Sequence, residues 1–454
     1  MPIRRLFVAN RGEIALRIVR AARALGMETV LAVSQADRGS LAVKEADRAL
    51  VIGPPPARLS YLNANALVHA AIASGCDALH PGYGFLSERA EFAELCEEQN
   101  LIFVGPRAET IRAVGDKLGA RALATQAGVP MTPGSPGLKS VAEALQWAEE
   151  LGYPVISKAS SGGGGRGMRI ARDKDELRRT FEQSVLEAKE AFGDGTLYLE
   201  SFVENARHVE VQMLGDGLGG MLHFGERDCT LQRRYQKMME EAPATALKGE
   251  VRERLHRCAI DLLTPIKYRN AATVEFLYDP SRESFYFMEV NSRIQVEHPV
   301  SEMIAGVDLI SMQLRVASEG CLPLTQEEIR PNGHAIELRI LAEDPRRDFL
   351  PNPGRIAVWE VPQNEPGVRL DSAMHEGAMV PPYYDSMIGK LIAHGSDRTD
   401  AMNRLQRVLA RTRIEGIASN LELLRFICAH PRIRANEYHT RWAERVLMPE
   451  YTAQ

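Results

Sequence analysis

The sequence predicts an α/β protein that begins with a doubly wound parallel sheet and continues into mixed α/β regions. Three observations predict this fold class. Short apolar runs alternate with amphipathic helical patterns at the start of the chain, a glycine run lies between two strand-like segments within residues 154–171, and two β-rich runs flank a turn sequence at 279–283. Alternating strands and helices are typical of a parallel sheet covered by helices on both faces.

Size and composition exclude several classes of protein. A chain of 454 residues with 45% hydrophobic and 25% charged residues has the length of two or three packed domains and a globular composition. Its net charge of −5 excludes a generally basic surface, so we expect no nucleic-acid partner. The six cysteines form no Cys-x-x-Cys pair, and no segment has the apolar length of a signal peptide or a membrane span. We therefore expect a cytoplasmic protein without a membrane partner.

The first region supplies the strands of the parallel sheet. Apolar residues Ile14, Ile18, Ala22 and Leu25 recur at three- and four-residue spacing and predict an amphipathic helix after the first strand. The strand-like runs are residues 6–9, 29–33, 49–52, 78–80 and 102–104.

Beyond this region the pattern changes. Residues 132–137 read Thr-Pro-Gly-Ser-Pro-Gly and end the alternation. Strand-like segments at 154–159 and 168–171 then flank the glycine run, which predicts a small separate lid. The β-rich runs cover residues 272–278 and 284–291, and a final mixed region begins near residue 333.

The glycine run at 160–167 reads Ser-Ser-Gly-Gly-Gly-Gly-Arg-Gly. A dinucleotide fingerprint requires a helix directly after the loop, and a Walker A loop requires a lysine where Met168 stands. A hairpin whose backbone N–H groups close over phosphates, with Lys158 on the incoming strand, fits the residues better. A flexible exposed loop is the alternative.

Two carboxylates are predicted to face each other across a β-hairpin. If residue 282 is the centre of the turn, residues whose numbers sum to 564 are opposite, and Glu275 and Glu289 satisfy this sum. Their Cβ atoms would lie about 5 Å apart, where like charges destabilise a sheet. A nucleotide-bound Mg²⁺ would relieve this repulsion, whereas two solvated carboxylates at a sheet edge would need no ligand.

The residues that follow extend this polar pattern. In an extended chain one face would carry a metal-binding and oxyanion-binding set and the other face would be apolar. The polar set is Glu289, Asn291, Arg293, Gln295 and Glu297, and the apolar set is Val290, Ile294 and Val296. The polar set suits a site that holds a metal, binds a planar oxyanion and removes a proton.

A basic cluster at 232–237, Gln-Arg-Arg-Tyr-Gln-Lys, precedes Glu240 and Glu241. Charge runs of this kind are usually solvated surfaces. Taken singly, Lys117 is typical of a surface lysine and His208 of a structural histidine.

These motifs, in this order, closely resemble the biotin carboxylase family of ATP-grasp enzymes over nearly the whole chain. The resemblance also covers Asn-Arg-Gly-Glu at 10–13, His-Pro-Gly-Tyr-Gly-Phe at 80–85 and Pro-Pro-Tyr-Tyr-Asp-Ser at 381–386. It implies an ATP-grasp fold with an N-terminal doubly wound domain at 1–113 and an ATP-grasp domain at 114–332. A mobile glycine-rich lid would cover about 131–203, and a C-terminal mixed α/β domain would cover 333–454.

The resemblance assigns functions to matching positions. ATP would contact Lys117, Lys158, Gly164, Gly165, Glu200, Val203, His208, Gln232, Tyr235, Glu275, Leu277 and Glu289. The metal, Mg²⁺ or Mn²⁺, would be held by Glu275, Glu289 and Asn291. Bicarbonate would be held by Lys237, Arg293, Gln295 and Val296, and biotin by Arg339, Tyr83 and Asp385.

The resemblance also implies the reaction. Glu297 would deprotonate bicarbonate, Lys237 and Arg293 would hold it for attack on the γ-phosphate, and Arg339 would stabilise the enolate-like ureido group of biotin. The chain lacks the Met-Lys-Met tripeptide of biotinylated carriers, so we expect biotin on a separate carrier protein that also serves a carboxyltransferase, as in bacterial acyl-CoA carboxylases. The family also implies a homodimer. The final acceptor, an acyl-CoA or a 2-oxo acid, stays open.

Three positions depart from the family pattern. Tyr235 replaces a usual histidine or asparagine, Ala272 a common glycine, and Ser201 a usually longer residue. Two alternatives follow from the residues: another ATP-grasp ligase that joins an acyl phosphate to an amine, or a nucleotide-binding regulatory relative without turnover.

Overall fold

The computed structural model describes residues 2–160, 168–362 and 365–453. Its first region is a five-stranded sheet of order β3-β2-β1-β4-β5 in which all neighbours are parallel. The strands are β1 (Arg5–Val8), β2 (Glu28–Ser34), β3 (Arg48–Gly53), β4 (Ala78–His80) and β5 (Ile102–Phe103). The helices are α1 (Gly12–Ala24), α2 (Leu41–Glu45), α3 (Ala64–Ala73), α4 (Ala90–Glu98) and α5 (Ala108–Gly115).

Both faces of the strands β1, β2 and β4 are buried, which explains why these strands read as continuous apolar runs, whereas the edge strand β3 is partly exposed. Leu6 and Val8 pack in one core with α1, whereas Phe7 and Ala9 pack in a second core with α3 and α4. The strand order reverses between β1 and β4, and ligands of such sheets bind outside the carboxyl ends of the strands at this point. The doubly wound region predicted from the sequence is confirmed.

The next region forms a small three-stranded antiparallel sheet of order β7-β6-β8. Its elements are α6 (Lys117–Gln126), α7 (Val141–Leu151), β6 (Val155–Ala159), β7 (Arg169–Ala171), α8 (Lys174–Phe192) and β8 (Leu197–Ser201). Side chains of α7 and α8 share a core with this sheet. The two predicted strands around the glycine run pair as a hairpin, while residues 161–167 lie outside the described residues.

An eight-stranded sheet of order β13-β12-β9-β10-β11-β14-β21-β19 runs through the rest of the described chain, and the short strand pairs β15-β16, β17-β20 and β18-β22 lie outside it. Its first part comprises β9 (Arg207–Asp216), β10 (Met221–Arg233), β11 (Gln236–Ala242), α9 (Gly249–Leu263), β12 (Arg269–Asp279), β13 (Ser284–Asn291), α10 (His298–Ala305) and α11 (Leu309–Glu319). Within the described residues, no helix has the length and apolar character needed to cross a membrane.

The C-terminal part continues the same sheet, because β14 pairs with β11. Its strands are β14 (His334–Leu341), β15 (Glu343–Asp344), β16 (Leu350–Pro351), β17 (Gly354–Arg355), β18 (Val358–Glu360), β19 (Val368–Asp371), β20 (Met379–Val380), β21 (Met387–Gly395) and β22 (Arg413–Glu415). Its helices are α12 (Arg398–Arg411), α13 (Leu421–Ala429), α14 (Pro431–Arg434) and, after a π-helical turn at Ala443–Leu447, α15 (Met448–Thr452). The domain boundaries predicted after residues 113 and 332 stay predictions.

The predicted hairpin is present with one irregularity. Glu275 lies opposite Glu289, as the sum of 564 requires, but from Phe276 onward the paired numbers sum to 563 because a β-bulge follows Glu275. The strand ends at Asn291, and the chain then leaves the sheet and enters α10 directly after Glu297. The prediction of one extended segment to residue 297 was therefore wrong, since its last residues turn toward a helix.

We expect the junction between β11 and β14 to be essential for stability. Leu338 on β14 is fully buried between Met239 and Leu391. Leu338→Ala should lower the free energy of unfolding by about 2–5 kcal/mol, because it removes buried methyl groups and leaves a cavity. Leu186→Ala on α8, where leucine is 67% exposed, is the control and should change it by less than about 0.5 kcal/mol. Equal urea midpoints for the two variants would contradict this packing.

Candidate active site

A cavity of about 690 Å³ lies where the long sheet meets the small sheet and the first region. The ligand-binding residues predicted from the sequence and described by the structure all line this cavity, except Asp385. Gly164 and Gly165 lie outside the described residues. Asp385 lines a second cavity of about 270 Å³, and Tyr83 borders both cavities.

The register of the long sheet brings these side chains together. Glu275 on β12 is opposite Glu289 on β13 and Glu210 on β9. Gln232 on β10 is opposite Lys237 on β11, and Arg339 on β14 is opposite Lys390 on β21. Neighbouring strands lie about 4.8 Å apart, so the charged groups form a row across the sheet.

Glu275, Glu289 and Asn291 form a set of oxygen donors at one end of this row. The Asn291 amide donates to Glu275 Oε1 at 2.9 Å, and Lys117 Nζ lies 3.9 Å from Glu289 Oε2. Removal from bulk water and repulsion by Glu275 raise the pKa of Glu289. Two opposed carboxylates and an amide oxygen are hard ligands of the kind that Mg²⁺ prefers. The residues present therefore fit the metal predicted from the sequence.

The ammonium group of Lys237 lies among three carboxylates. Its Nζ is 2.6 Å from Glu210 Oε2, 2.5 Å from Glu297 Oε1 and 3.3 Å from Glu275 Oε1. Burial alone would lower the pKa of Lys237, but the surrounding anionic groups raise it well above its ordinary value. Lys237 is therefore a permanent cation that links Glu275 to Glu210 and Glu297.

Glu297 is fully buried and accepts hydrogen bonds from two cations. Besides Lys237, Arg339 Nη2 lies 3.0 Å from its second oxygen. Burial would raise the pKa of Glu297, but Lys237, Arg339 and Arg227 lower it below its ordinary value. The N-terminus of α10, which begins at the next residue, also favours the anion. Glu297 is therefore ionised at neutral pH and available as a base.

Arg293, Gln295 and Val296 complete a pocket next to Lys237 and Glu297. Arg293 Nη1 donates to Gln295 Oε1 at 2.6 Å, and its Nε lies 3.0 Å from Glu88 Oε2. The guanidinium and amide groups give the pocket donors for a small planar oxyanion. Val296 also lines the cavity, contrary to its predicted position on the opposite face, because the chain is no longer a strand there.

Glu200 holds Lys158 at the other end of the cavity. Lys158 Nζ on β6 lies 2.5 Å from Glu200 Oε2, and Arg121 on α6 contacts the other oxygen. Burial would raise the pKa of Glu200, but Lys158 and Arg121 lower it. The apolar lining here, Val203, Leu277, Phe202 and Met288, suits the flat face of a nucleotide base.

His208 lies on β9 beside the metal-binding set. Its Nε2 is 3.0 Å from Glu275 Oε2. Burial would lower the pKa of His208, but the Glu275 carboxylate raises it and the net shift is upward. His208 therefore has a structural partner in Glu275, as a structural histidine would, and it also lines the cavity.

The basic cluster at 232–237 divides between cavity and surface. Gln232, Arg234, Gln236 and Lys237 line the cavity, whereas Arg233 does not. Arg233 and Arg234 both form ion pairs with Asp348. Tyr235 is 53% exposed and lies at the edge of the cavity. It forms a two-residue turn with Arg234, and the φ values are 47° for Arg234 and 66° for Tyr235. Such turns favour asparagine and glycine, so an arginine-tyrosine pair is costly here.

Sequence reasoning missed five buried charged residues beneath the cavity: Glu210, Arg227, Glu240, Glu337 and Lys390. Arg227 Nε donates to Glu210 Oε1 at 2.6 Å, and Arg339 Nε donates to Glu240 Oε1 at 2.6 Å. One signal was available: polar residues at 208, 210 and 212 alternate with apolar ones along β9. The other partners come from strands that are distant in sequence, and no local pattern marks them.

Three family descriptions match consecutive parts of the chain. They are the biotin carboxylase N-terminal domain at residues 2–111, the ATP-binding domain of the carbamoyl-phosphate synthase L chain at 116–325, and the biotin carboxylase C-terminal domain at 337–445.

Individual proteins match over almost the whole chain. Biotin carboxylase 1 of Bacillus subtilis is 48% identical over 97% of this chain and 98% of the relative. The biotin carboxylase-βγ-ATP complex from Campylobacter jejuni has a TM-score of 0.95 and 43% identity, and covers 98% of this chain and 99% of that chain. The biotin carboxylase domain dimer of Hydrogenobacter thermophilus 2-oxoglutarate carboxylase, solved with MgADP, ADP and bicarbonate, has a TM-score of 0.94 and 44% identity over 98% of each chain. The predicted fold class is confirmed.

We expect Glu289→Gln to weaken metal binding. The substitution removes one of the two opposed carboxylates, and we expect a loss of about tenfold or more in Mn²⁺ affinity in the presence of ADP. Electron paramagnetic resonance titration measures this without requiring turnover. Glu283→Gln is the matched control, because Glu283 lies in the turn of the same hairpin and pairs with Lys248. Equal Mn²⁺ affinities for the two variants would contradict this metal site.

Proposed function

Because the chain belongs to the biotin carboxylase family of ATP-grasp enzymes, we propose that it carboxylates biotin carried on a separate protein, using bicarbonate and ATP by way of carboxyphosphate. The enzyme is an ATP-dependent ligase. Its substrates include ATP and biotin on a carrier, and Mg²⁺ is its metal cofactor. The observation that carries the proposed mechanism is the position of Glu297, which contacts Lys237 on one side and Arg339 on the other.

The first step forms carboxyphosphate. Glu297 takes the proton of bicarbonate, and an oxygen of the resulting carbonate attacks the γ-phosphorus of ATP while the bond to the β–γ bridging oxygen breaks and ADP leaves. Lys237 and Arg293 hold the oxyanion in line for this attack. Lys117 and Lys158 bind the phosphate groups. A magnesium ion held by Glu275, Glu289 and Asn291 supplies positive charge to the phosphate oxygens when bound.

The second step transfers the carboxyl group. Carboxyphosphate breaks at its C–O bond into carbon dioxide and phosphate, and the phosphate takes the ureido proton of biotin. The ureido nitrogen then forms a bond to the carbon of carbon dioxide. Arg339 faces the cavity and stabilises the negative charge that develops on the ureido oxygen. Tyr83 and Asp385 border the path along which biotin would enter.

We expect this enzyme to act with a carrier protein, a carboxyltransferase and a second copy of itself. A biotin carboxyl carrier protein brings biotin to the cavity, and a carboxyltransferase then passes the carboxyl group to the final acceptor, an acyl-CoA or a 2-oxo acid. Two copies of the chain form a homodimer, which is supported by the dimeric domain of the Hydrogenobacter relative. Mn²⁺ would replace Mg²⁺ at the same oxygen donors.

Glu297→Gln tests the proposed base. The amide cannot accept the bicarbonate proton, so bicarbonate-dependent ATP cleavage should fall by about a hundredfold or more, with or without free biotin. Release of phosphate measures the rate. Glu319→Gln, a substitution at an exposed position on α11, is the control and should leave the rate unchanged. Full activity of Glu297→Gln would rule out this residue as the base.

Arg339→Gln tests the separation of the two steps. The variant lacks the cation next to the ureido oxygen, so carboxylation of free biotin should fall by about a hundredfold or more. ATP cleavage without biotin should fall much less, because Lys237 and Arg293 remain. Fixation of labelled bicarbonate and phosphate release report the two steps, and Arg282→Gln in an exposed turn is the control. Equal losses in both reactions would show that Arg339 is not specific for biotin.

A further inference from the structure

Two glutamates lie beneath Arg339 and have no role in the proposed reaction. Glu240 on β11 and Glu337 on β14 are directly opposite in antiparallel register, and both are fully buried. Residues at this position have Cβ atoms about 5 Å apart. The guanidinium of Arg339, two residues along the same strand from Glu337, is hydrogen-bonded to Glu240 and Glu297.

Three of the four oxygens of this pair have no hydrogen-bond partner among the described residues. These are both oxygens of Glu337 and Oε2 of Glu240. An ionised carboxylate without hydrogen bonds is costly to bury, and two at this separation repel each other strongly. The geometry therefore favours one ionised and one protonated carboxyl group in this pair over two ionised ones.

Apart from Arg339, which is hydrogen-bonded to Glu240, the nearby cations are paired with other acids. Lys390 Nζ lies 3.1 Å from Glu13 Oε1 and donates to the carbonyl of Val296 at 2.8 Å, and Lys237 contacts its three carboxylates. The titratable and charged groups that interact with the pair are Cys229 from β10, Lys237 from β11, Arg339 from β14, Lys390 from β21 and Glu297 from the segment before α10. Glu13 from α1 is paired with Lys390.

The pKa shifts agree with this geometry. Burial and repulsion by Glu297 raise the pKa of Glu240 to about 7, although Arg339 opposes the shift. Burial and repulsion by Glu240 raise the pKa of Glu337 well above its ordinary value. A carboxyl group whose pKa is raised stays neutral below that pKa and gains its charge as the pH rises through it.

We propose that Glu240 and Glu337 hold one proton between them and act as positioning residues that keep the charge of Arg339 available to the ureido oxygen of biotin. This inference rests on the proposed role of Arg339. When Glu297 has accepted the bicarbonate proton, the shared-proton pair leaves one negative charge beside Arg339. Loss of the shared proton adds a second negative charge, which repels the developing ureido anion.

Glu337→Gln tests the pair through the pH dependence of the second step. In the wild-type enzyme, carboxylation of free biotin should fall by about tenfold or more as the pH rises through the titration of the pair. Glu337→Gln keeps a single ionisable group and should lose this alkaline fall. Bicarbonate-dependent ATP cleavage without biotin should have the same pH profile in both proteins, which a general loss of structure would not give.

Glu226→Gln is the matched control, because Glu226 is a buried strand glutamate that pairs with Arg252 and His256 away from the cavity. It should retain the alkaline fall. The inference is overturned if the wild type shows no alkaline fall, if Glu337→Gln retains it, or if Glu226→Gln also loses it. Absence of bicarbonate-dependent ATP cleavage in the wild type would instead contradict the proposed function.

Infrared spectroscopy gives a second test should Glu337→Gln fail to fold. In the wild-type protein, a band from a protonated carboxyl group should persist at neutral pH and disappear over the pH range in which biotin carboxylation falls. Glu240→Gln should move the titration of this band to lower pH, because it removes the neighbouring carboxylate that raises the pKa of Glu337. The absence of any carboxyl band that titrates in this range would overturn the shared proton.

Discussion

The contact of one ammonium group with three carboxylates is the interaction on which the rest of the cavity depends. Lys237 holds Glu210, Glu275 and Glu297 within 3.3 Å of its nitrogen, although like charges would otherwise force these acids apart. Buried acids are tolerated only when they are paired, and removal of one partner of a buried pair typically costs about 3–5 kcal/mol. Lys237 thereby keeps both Glu275, the proposed metal ligand, and Glu297, the proposed base, ionised.

The long antiparallel sheet makes this arrangement possible. Its register places charged residues from β13 to β21 side by side along the cavity. The crevice between β1 and β4 adds Tyr83 from the parallel sheet, held by the Asn10 amide, which donates to the Tyr83 carbonyl at 2.8 Å. A rigid sheet under the site favours catalysis because it holds charges in position before the substrate arrives.

Much of this could be predicted from the sequence, and the exceptions have physical reasons. The opposition of Glu275 and Glu289 follows from counting residues across the turn, but the bulge after Glu275 could not be seen because an extra residue leaves no local signal. The residues at 292–297 have the alternating sequence pattern of a strand, but this segment turns into the helix that begins after Glu297. Val296 lines the cavity for this reason. Glu240, Glu337 and Lys390 were not recognised as parts of the site, because pairing between strands that are distant in the sequence determines their partners.

A crystal structure of the protein with MgADP and bicarbonate is the most direct test of the central claim that one charged row joins metal, oxyanion and base. We expect the magnesium ion between Glu275 and Glu289, and bicarbonate within hydrogen-bond distance of Lys237, Arg293 and the Glu297 carboxylate. A bicarbonate ion bound out of reach of Glu297, or a metal that does not touch either carboxylate, would contradict the account.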